Sequence, residues 1–331
     1  MSDYSAKNVV VTGGAGFIGV NLAQKLIELG AAVTIIDHAS SSPIMPLKNG
    51  RLIHADILNL EDCGEALTEA DFVFHLAART DLNGKTLDDY AVNTEGTRRL
   101  IAALKNNRKI QRFVLYSTQL VVGLFNETRF IDETEPYRTR TVYGESKIQA
   151  EKITIEECQK LDIPYTIIRP TSVYGPFGKS PYREYFQTIY RKRYFHAGKA
   201  DNLVSMVYVK NLVDQTVFLA GNERARNQIF FGNDLHPYTM RELSDAVAGY
   251  FGYKISTIPD WIVWPGAYGL GLLKLFGIPV PLYPFRLRNI QANYCYDMGK
   301  TLRLGFLPNY ELDQGIKETL DWYVKNDPNF H

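Results

Sequence analysis

Thr12-Gly13-Gly14-Ala15-Gly16-Phe17-Ile18-Gly19 stands between a β-branched run, Asn8-Val9-Val10-Val11-Thr12, and a helical pattern that begins near Phe17. Glycines in such a loop allow a tight turn and let backbone N–H groups approach a pyrophosphate, whose charge then sits at the positive end of the following helix. Side chains at these points would block that approach. Asp37 ends the next apolar run, 18 residues beyond Gly19, where a carboxylate can accept both ribose hydroxyls and would repel a 2′-phosphate. The stretch therefore reads as a dinucleotide site that favours NAD over NADP, with Gly13, Gly16, Phe17, Ile18, Gly19 and Asp37 as contacts. Asp56 and Ile57, at the end of a third run, suit the adenine end; a helix-capping Asp56 is the alternative.

Outward from this loop, apolar runs at 8–12, 32–37, 51–56, 71–78, 112–118 and 164–169 alternate with helical segments that include 87–106 and 143–161. This rhythm predicts βαβ units. Val9-Val10-Val11 and Phe72-Val73-Phe74 are apolar on both faces, as in strands covered by helices on both sides. The expected fold is α/β, a doubly wound parallel Rossmann sheet with a second, smaller, discontinuous substrate domain. Residues 1–178 form the NAD-binding part, completed by about 204–233, where 204–209 and 228–232 read as strands returning to the sheet; 179–331 form the substrate region. Helical patterns at 182–194, 239–251 and 312–325 fill the latter.

A chain of 331 residues, 45% hydrophobic, can bury a sizeable core. With 37 basic and 36 acidic side chains it offers no field for a nucleic-acid backbone. Cys63, Cys158 and Cys295 are too far apart for a CxxC pair, the histidines show no metal spacing, and Met1 to Lys7 is short and polar rather than leader-like. A cytoplasmic protein with reduced thiols and no metal is expected. Residues 261–285 carry one ionic side chain short of Arg286, Lys274, but prolines and glycines break the run below the roughly 20 residues that span a bilayer. A lid or core helix is expected there, with contact to a membrane surface left open.

Tyr143 and Lys147 lie four apart at the start of a helical pattern, so their side chains share a face. Tyr250/Lys254 and Tyr296/Lys300 have the same spacing, but only Tyr143 follows the fifth strand's end at Ser117-Thr118, where ligands gather in parallel sheets. Removal of a hydride from a carbinol carbon requires loss of the hydroxyl proton, and a phenol with an ordinary pKa of about 10 is a poor base near neutrality. An ammonium about 4 Å away would lower it by about one to three units. Lys147 is expected to supply that field and Thr118 to hydrogen-bond the substrate oxygen. Asn93 either anchors a water beside Lys147 or makes a polar contact inside its helix.

TGGAGFIG at 12–19, Asp37, Asp56-Ile57, HLAA at 75–78, VNTEGT at 92–97, STQLVVG at 117–123, YGESK at 143–147 and RPTSVYGP at 169–176 together resemble the extended short-chain dehydrogenase/reductases, the NAD-dependent epimerase/dehydratase family, over essentially the whole chain. The resemblance implies Thr118, Tyr143 and Lys147 as a catalytic triad, a cofactor site that also takes in Ala77, Ala78 and Asn93 besides Tyr143 and Lys147, and a homodimer formed through the helices carrying Leu100 and Lys147. Members most often act on nucleotide sugars. In the UDP-galactose 4-epimerase branch a diphosphate is held roughly where Arg286 lies, and Gln119 beside the triad is a further substrate candidate. Where a second arginine is usual, Val204-Ser205-Met206 stands, with Arg191, Arg193 or Lys199 as possible substitutes. The apolar segment after Trp261 resembles the 3β-hydroxysteroid dehydrogenase branch. Gln119-Leu120 replace the Asp-Glu of the sugar dehydratases, which disfavours dehydration. Three readings follow: an epimerase or dehydrogenase at a secondary alcohol of a nucleotide sugar, a dehydrogenase of a hydrophobic, sterol-like alcohol, and a non-catalytic NAD sensor.

Overall fold

The computed structural model describes residues 4–38, 50–123, 129–275, 283–284, 287–288 and 291–330. Seven strands form one sheet: β1 (Asn8–Thr12), β2 (Ala32–Asp37), β3 (Gly50–His54), β4 (Phe72–His75), β5 (Arg112–Tyr116), β6 (Tyr165–Pro170) and the later Gln228–Gly232. All pairings are parallel, in the order β3-β2-β1-β4-β5-β6-(228–232). Chain direction across the sheet reverses between β1 and β4, which opens a crevice at their carboxyl ends.

Alternate side chains of each strand enter different cores. Val9 and Val11 pack with Leu22 and Leu26 of α1 (Phe17–Glu28) and with Leu212 and Leu219 of the helix Val209–Ala220. Val10 packs on the other face, with Leu100 and Ile101 of the helix Ala91–Ala103 and Ala150 of the helix Val142–Lys160. The helical pattern at 87–106 proves to be an α-helix extended by single 3-10 turns, Asp88–Tyr90 and Leu104–Asn106.

One expected strand behaves differently. Residues 204–209 do not join the large sheet: Leu203–Val204 pairs antiparallel with Tyr238–Thr239, and Met206–Tyr208 pairs parallel with Ser172–Tyr174. The outer edge of β6 is already occupied by Gln228–Gly232, so that place beside β6 is taken. These small sheets, with Tyr174, Phe186, Leu243, Ile316 and Leu320, build a third core beside the Rossmann layers.

The apolar stretch after Trp261 forms a helix, Asp260–Leu275, with Pro265 inside it. Val263 and Ala267 are buried against Ala197, Ile258 and Leu287, whereas Trp261, Ile262 and Tyr268 are exposed. No helix among the described residues is long and apolar enough to cross a membrane.

Candidate active site

Above the sheet's switch point lies a cleft of about 920 Å³. The glycine loop forms its floor. Gly13 has φ +70°, and a Cβ there would lie 2.6 Å from the Ala77 backbone N, so glycine alone fits between β1 and the segment after β4. A Cβ on Gly16 would meet only the Gly13 carbonyl oxygen, at 3.3 Å, within 4 Å. Gly16 also caps α1, which has no side-chain cap and no acidic residue in its first turn. The helix thus presents unneutralised N–H groups beside Gly16 to the cleft, a cradle suited to a pyrophosphate.

Asp37 stands at the end of β2 on the cleft wall. Its Oδ2 accepts the Ala15 N–H at 2.8 Å and its Oδ1 the His38 N–H at 2.8 Å, so the carboxylate is fixed against the loop it serves. A carboxylate oxygen can accept more than one hydrogen bond, so ribose hydroxyls could share these oxygens with the backbone. Asp56, Ile57, Ala77 and Ala78 also line the cleft, and Asp56 additionally accepts the Leu58 N–H at 2.9 Å, a local turn. These residues fit an adenine dinucleotide, which would lie with its pyrophosphate over α1 and its ribose at Asp37.

Thr118, Tyr143 and Lys147 converge at the other end of the same cleft. Thr141 caps the helix Val142–Lys160 by accepting the Gly144 N–H at 3.0 Å, which sets Tyr143 in the first turn. A stripe of Tyr143, Lys147, Glu151, Thr154 and Cys158 then faces the protein interior. Burial pushes the Tyr143 phenol up to about 12, with the nearby Thr118 side chain opposing the shift. Burial likewise pulls Lys147 down to about 8, partly offset by the Glu151 carboxylate. The expected lowering of the tyrosine by Lys147 is not found: desolvation of the phenolate dominates, and the side chains that act on it are Thr118 and Tyr90.

Asn93 hydrogen-bonds to backbone and to a neighbouring helix. Its Oδ1 accepts the Arg79 N–H at 2.8 Å, and its Nδ2 donates to the Arg79 carbonyl at 3.0 Å and to Ser146 Oγ at 2.9 Å. It clamps the cleft wall to the helix that bears Lys147. Gln119 is half-buried and its Oε1 has no hydrogen-bond partner among the described residues. Arg286 lies outside the described residues. Tyr250 donates to Asp321 and Tyr296 to the Gly123 carbonyl, and neither they nor Lys254 and Lys300 line the cleft.

The cleft also contains residues that motif reading passed over, among them Arg79, Thr80, Thr171 and Lys179. Arg79 is held by Asp81 through Nε at 2.7 Å, whereas Lys179 is exposed at the rim. Their signal was positional: Lys179 follows the RPTSVYGP run that leaves the carboxyl end of β6. Arg191, Arg193 and Lys199 are exposed and do not line the cleft.

Residues 9–230 match the NAD dependent epimerase/dehydratase family. The chain belongs to that family. Its members' nicotinamide cofactor accounts for the cradle over α1, and the protein is an NAD-dependent enzyme of the extended short-chain dehydrogenase/reductase type. Among relatives, a 3-beta-hydroxysteroid dehydrogenase of Mycolicibacterium neoaurum is 30% identical, over 96% of this chain and 91% of that protein. The N-acetyl-alpha-D-glucosaminyl-diphospho-ditrans,octacis-undecaprenol 4-epimerase of Escherichia coli O157:H7 is 27% identical over 95% of each chain. A UDP-glucose 4-epimerase from Thermotoga maritima, solved with UDP-glucose, shares the fold at a TM-score of 0.75 and 24% identity, over 96% of this chain and 99% of that one.

Proposed function

We propose that the protein carries out redox chemistry at a secondary alcohol of a lipid-borne substrate, either a sterol-like alcohol or a sugar on a polyprenyl carrier, with Thr118, Tyr143 and Lys147 as its catalytic groups. The observation that carries the chemical part is their convergence at one end of a dinucleotide-shaped cleft. Bound NAD supplies the hydride acceptor. Tyr143 Oη takes the proton of the substrate hydroxyl, and Thr118 Oγ1 donates to or accepts from the same oxygen and fixes its position. Lys147 makes the phenolate accessible: two buried groups that each resist charging can charge together, because ammonium and phenolate then stabilise one another. At Tyr143 the return of that proton serves a reduction, which gives epimerisation if the ketone is reduced on its other face.

The substrate class is supported by three features. The two relatives cited by sequence are named for a steroid and for a polyprenol-linked sugar. Trp261, Ile262 and Tyr268 leave an apolar helix face exposed, and Val204-Ser205-Met206 stands where the family resemblance implies a second diphosphate-binding arginine. A second reading, a free nucleotide sugar, is favoured by Lys179, an exposed cation at the rim of the cleft. A panel of 3β-hydroxysterols in detergent, a polyprenyl-diphosphate sugar and UDP-sugars, followed by NADH absorbance and by product analysis for epimers, separates them. Turnover of UDP-sugars alone would refute the lipid-borne reading. No turnover and no bound NAD would refute both.

A further inference from the structure

Directly behind Lys147 lies an ion pair that the proposed chemistry does not use. Glu151 and Arg169 are both buried, the carboxylate completely. Arg169 reaches across from β6 and donates through Nε to Glu151 Oε1 at 2.9 Å and through Nη2 to Oε2 at 2.7 Å. Ser117 Oγ donates to the same Oε1 at 2.5 Å, and Tyr137 Oη to Oε2 at 2.8 Å. The carboxylate therefore binds three separate pieces of chain around its own helix. One of these, Ser117, is the residue before Thr118; Glu151 itself lies one turn after Lys147. Arg169 Nη1 is buried without a hydrogen-bond partner among the described residues, and the guanidinium lies over the Tyr137 ring at 5.4 Å and the Phe231 ring at 5.9 Å.

A buried ion pair is a weak source of stability, because desolvation opposes the attraction, so its presence here asks for another role. We propose that Glu151, held by Arg169, is a positioning residue of the catalytic centre: it locks the end of β5 bearing Thr118 to the helix bearing Tyr143 and Lys147, and it is the countercharge that keeps Lys147 cationic. Glu151 and Tyr143 face Lys147 from one turn on either side. From β4 it is faced by His75, which is pulled down to about 3 by burial first and by Lys147 second, and is therefore neutral at working pH. Arg169 lies behind Glu151 and would otherwise repel the ammonium. Among the charged groups near Lys147, Glu151 alone opposes its loss of the proton.

The inference rests on Lys147 lying beside the nicotinamide, and its test needs no substrate. A cationic Lys147 disfavours the oxidised, positively charged ring more than the reduced one, so the ratio of NAD+ to NADH dissociation constants should fall as pH rises through the lysine's titration. The ratio is measured by calorimetry for NAD+ and by fluorescence for NADH, from pH 6 to pH 10. Glu151→Gln should move the midpoint down by about one unit, the effect of removing one countercharge across a helical turn, while NADH affinity at pH 6 changes less than threefold. Glu151→Asp, which keeps the charge, should leave the midpoint near wild type. A double variant, Glu151→Met with Arg169→Met, replaces the pair by apolar side chains of similar volume, an exchange that commonly preserves stability, and should also titrate lower. A wild-type midpoint in a folded Gln or double variant would overturn the proposal. So would loss of folding in both, since the pair would then be a stability element. A wild-type ratio without pH dependence would instead overturn the placement of Lys147.

Discussion

His75 offers a quantitative test of how dry the base of the site is. Its ring is 2% exposed and bridges Thr12 Oγ1 at 2.7 Å and Thr97 Oγ1 at 2.9 Å, with no carboxylate among the described residues bonded to it to stabilise an added proton. Burial, with Lys147 nearby, pulls it to about 3 from an ordinary 6.5. The folded pKa is depressed, so the unfolded chain takes up a proton that the folded chain refuses, and stability falls as pH falls below 6.5. Over the full window that difference is about 5 kcal/mol, and at pH 5 it is about 2 kcal/mol. His75→Gln removes the titration while keeping a hydrogen-bonding side chain. Urea unfolding followed by circular dichroism at pH 7.5 and pH 5 should show wild type losing about 2 kcal/mol more than the variant over that interval. Parallel losses in the two proteins would mean that His75 is protonated or solvated in the fold, and would refute the argument.

Tyr143→Phe removes only the phenolic oxygen and should reduce turnover by about 10³-fold or more while NAD dissociation changes little; a rate within tenfold of wild type would move the acid/base role elsewhere. NAD(H) should bind more tightly than NADP(H), because a carboxylate at Asp37 would repel a 2′-phosphate; equal dissociation constants in calorimetry would contradict this. Gly13→Ala combines φ +70° with a backbone contact at 2.6 Å. It should lower stability by about 2 kcal/mol or more and weaken NAD binding at least tenfold, read by thermal melting with and without NAD.

Much of the site was legible because it lies in contiguous motifs. The glycine loop, Asp37 and the Tyr143/Lys147 pair owe their places on the cleft to local geometry, namely a strand, a tight turn and a helix face, and such spacing survives in one dimension. The central strands were legible for the same reason, since apolar runs covered on both faces leave no ambiguity of period. What escaped depends on contacts between distant segments. Met206–Tyr208 reads as a strand of the large sheet until Gln228–Gly232 is seen to occupy the edge. The bonds of Asn93 to the Arg79 backbone, 14 positions away, carry no signal in local spacing. Glu151 looks like a surface residue of a mixed-charge helix, because its partner Arg169 is 18 positions away. The phenol's upward shift reflects burial by several elements at once, which no four-residue spacing encodes.

The bond from the Ala15 amide to Asp37 bears on any effort to re-engineer cofactor choice. Replacing an acidic residue at this position by a small or basic one is the obvious route toward the phosphorylated dinucleotide. Here the same carboxylate is the acceptor for a loop amide and for the His38 N–H. A single exchange at Asp37 would remove the discriminating charge and release the turn that receives either cofactor, so affinity for both would drop. A successful conversion would need a neutral acceptor such as Asn or Ser retained at this point, with the new positive charge introduced from a different residue.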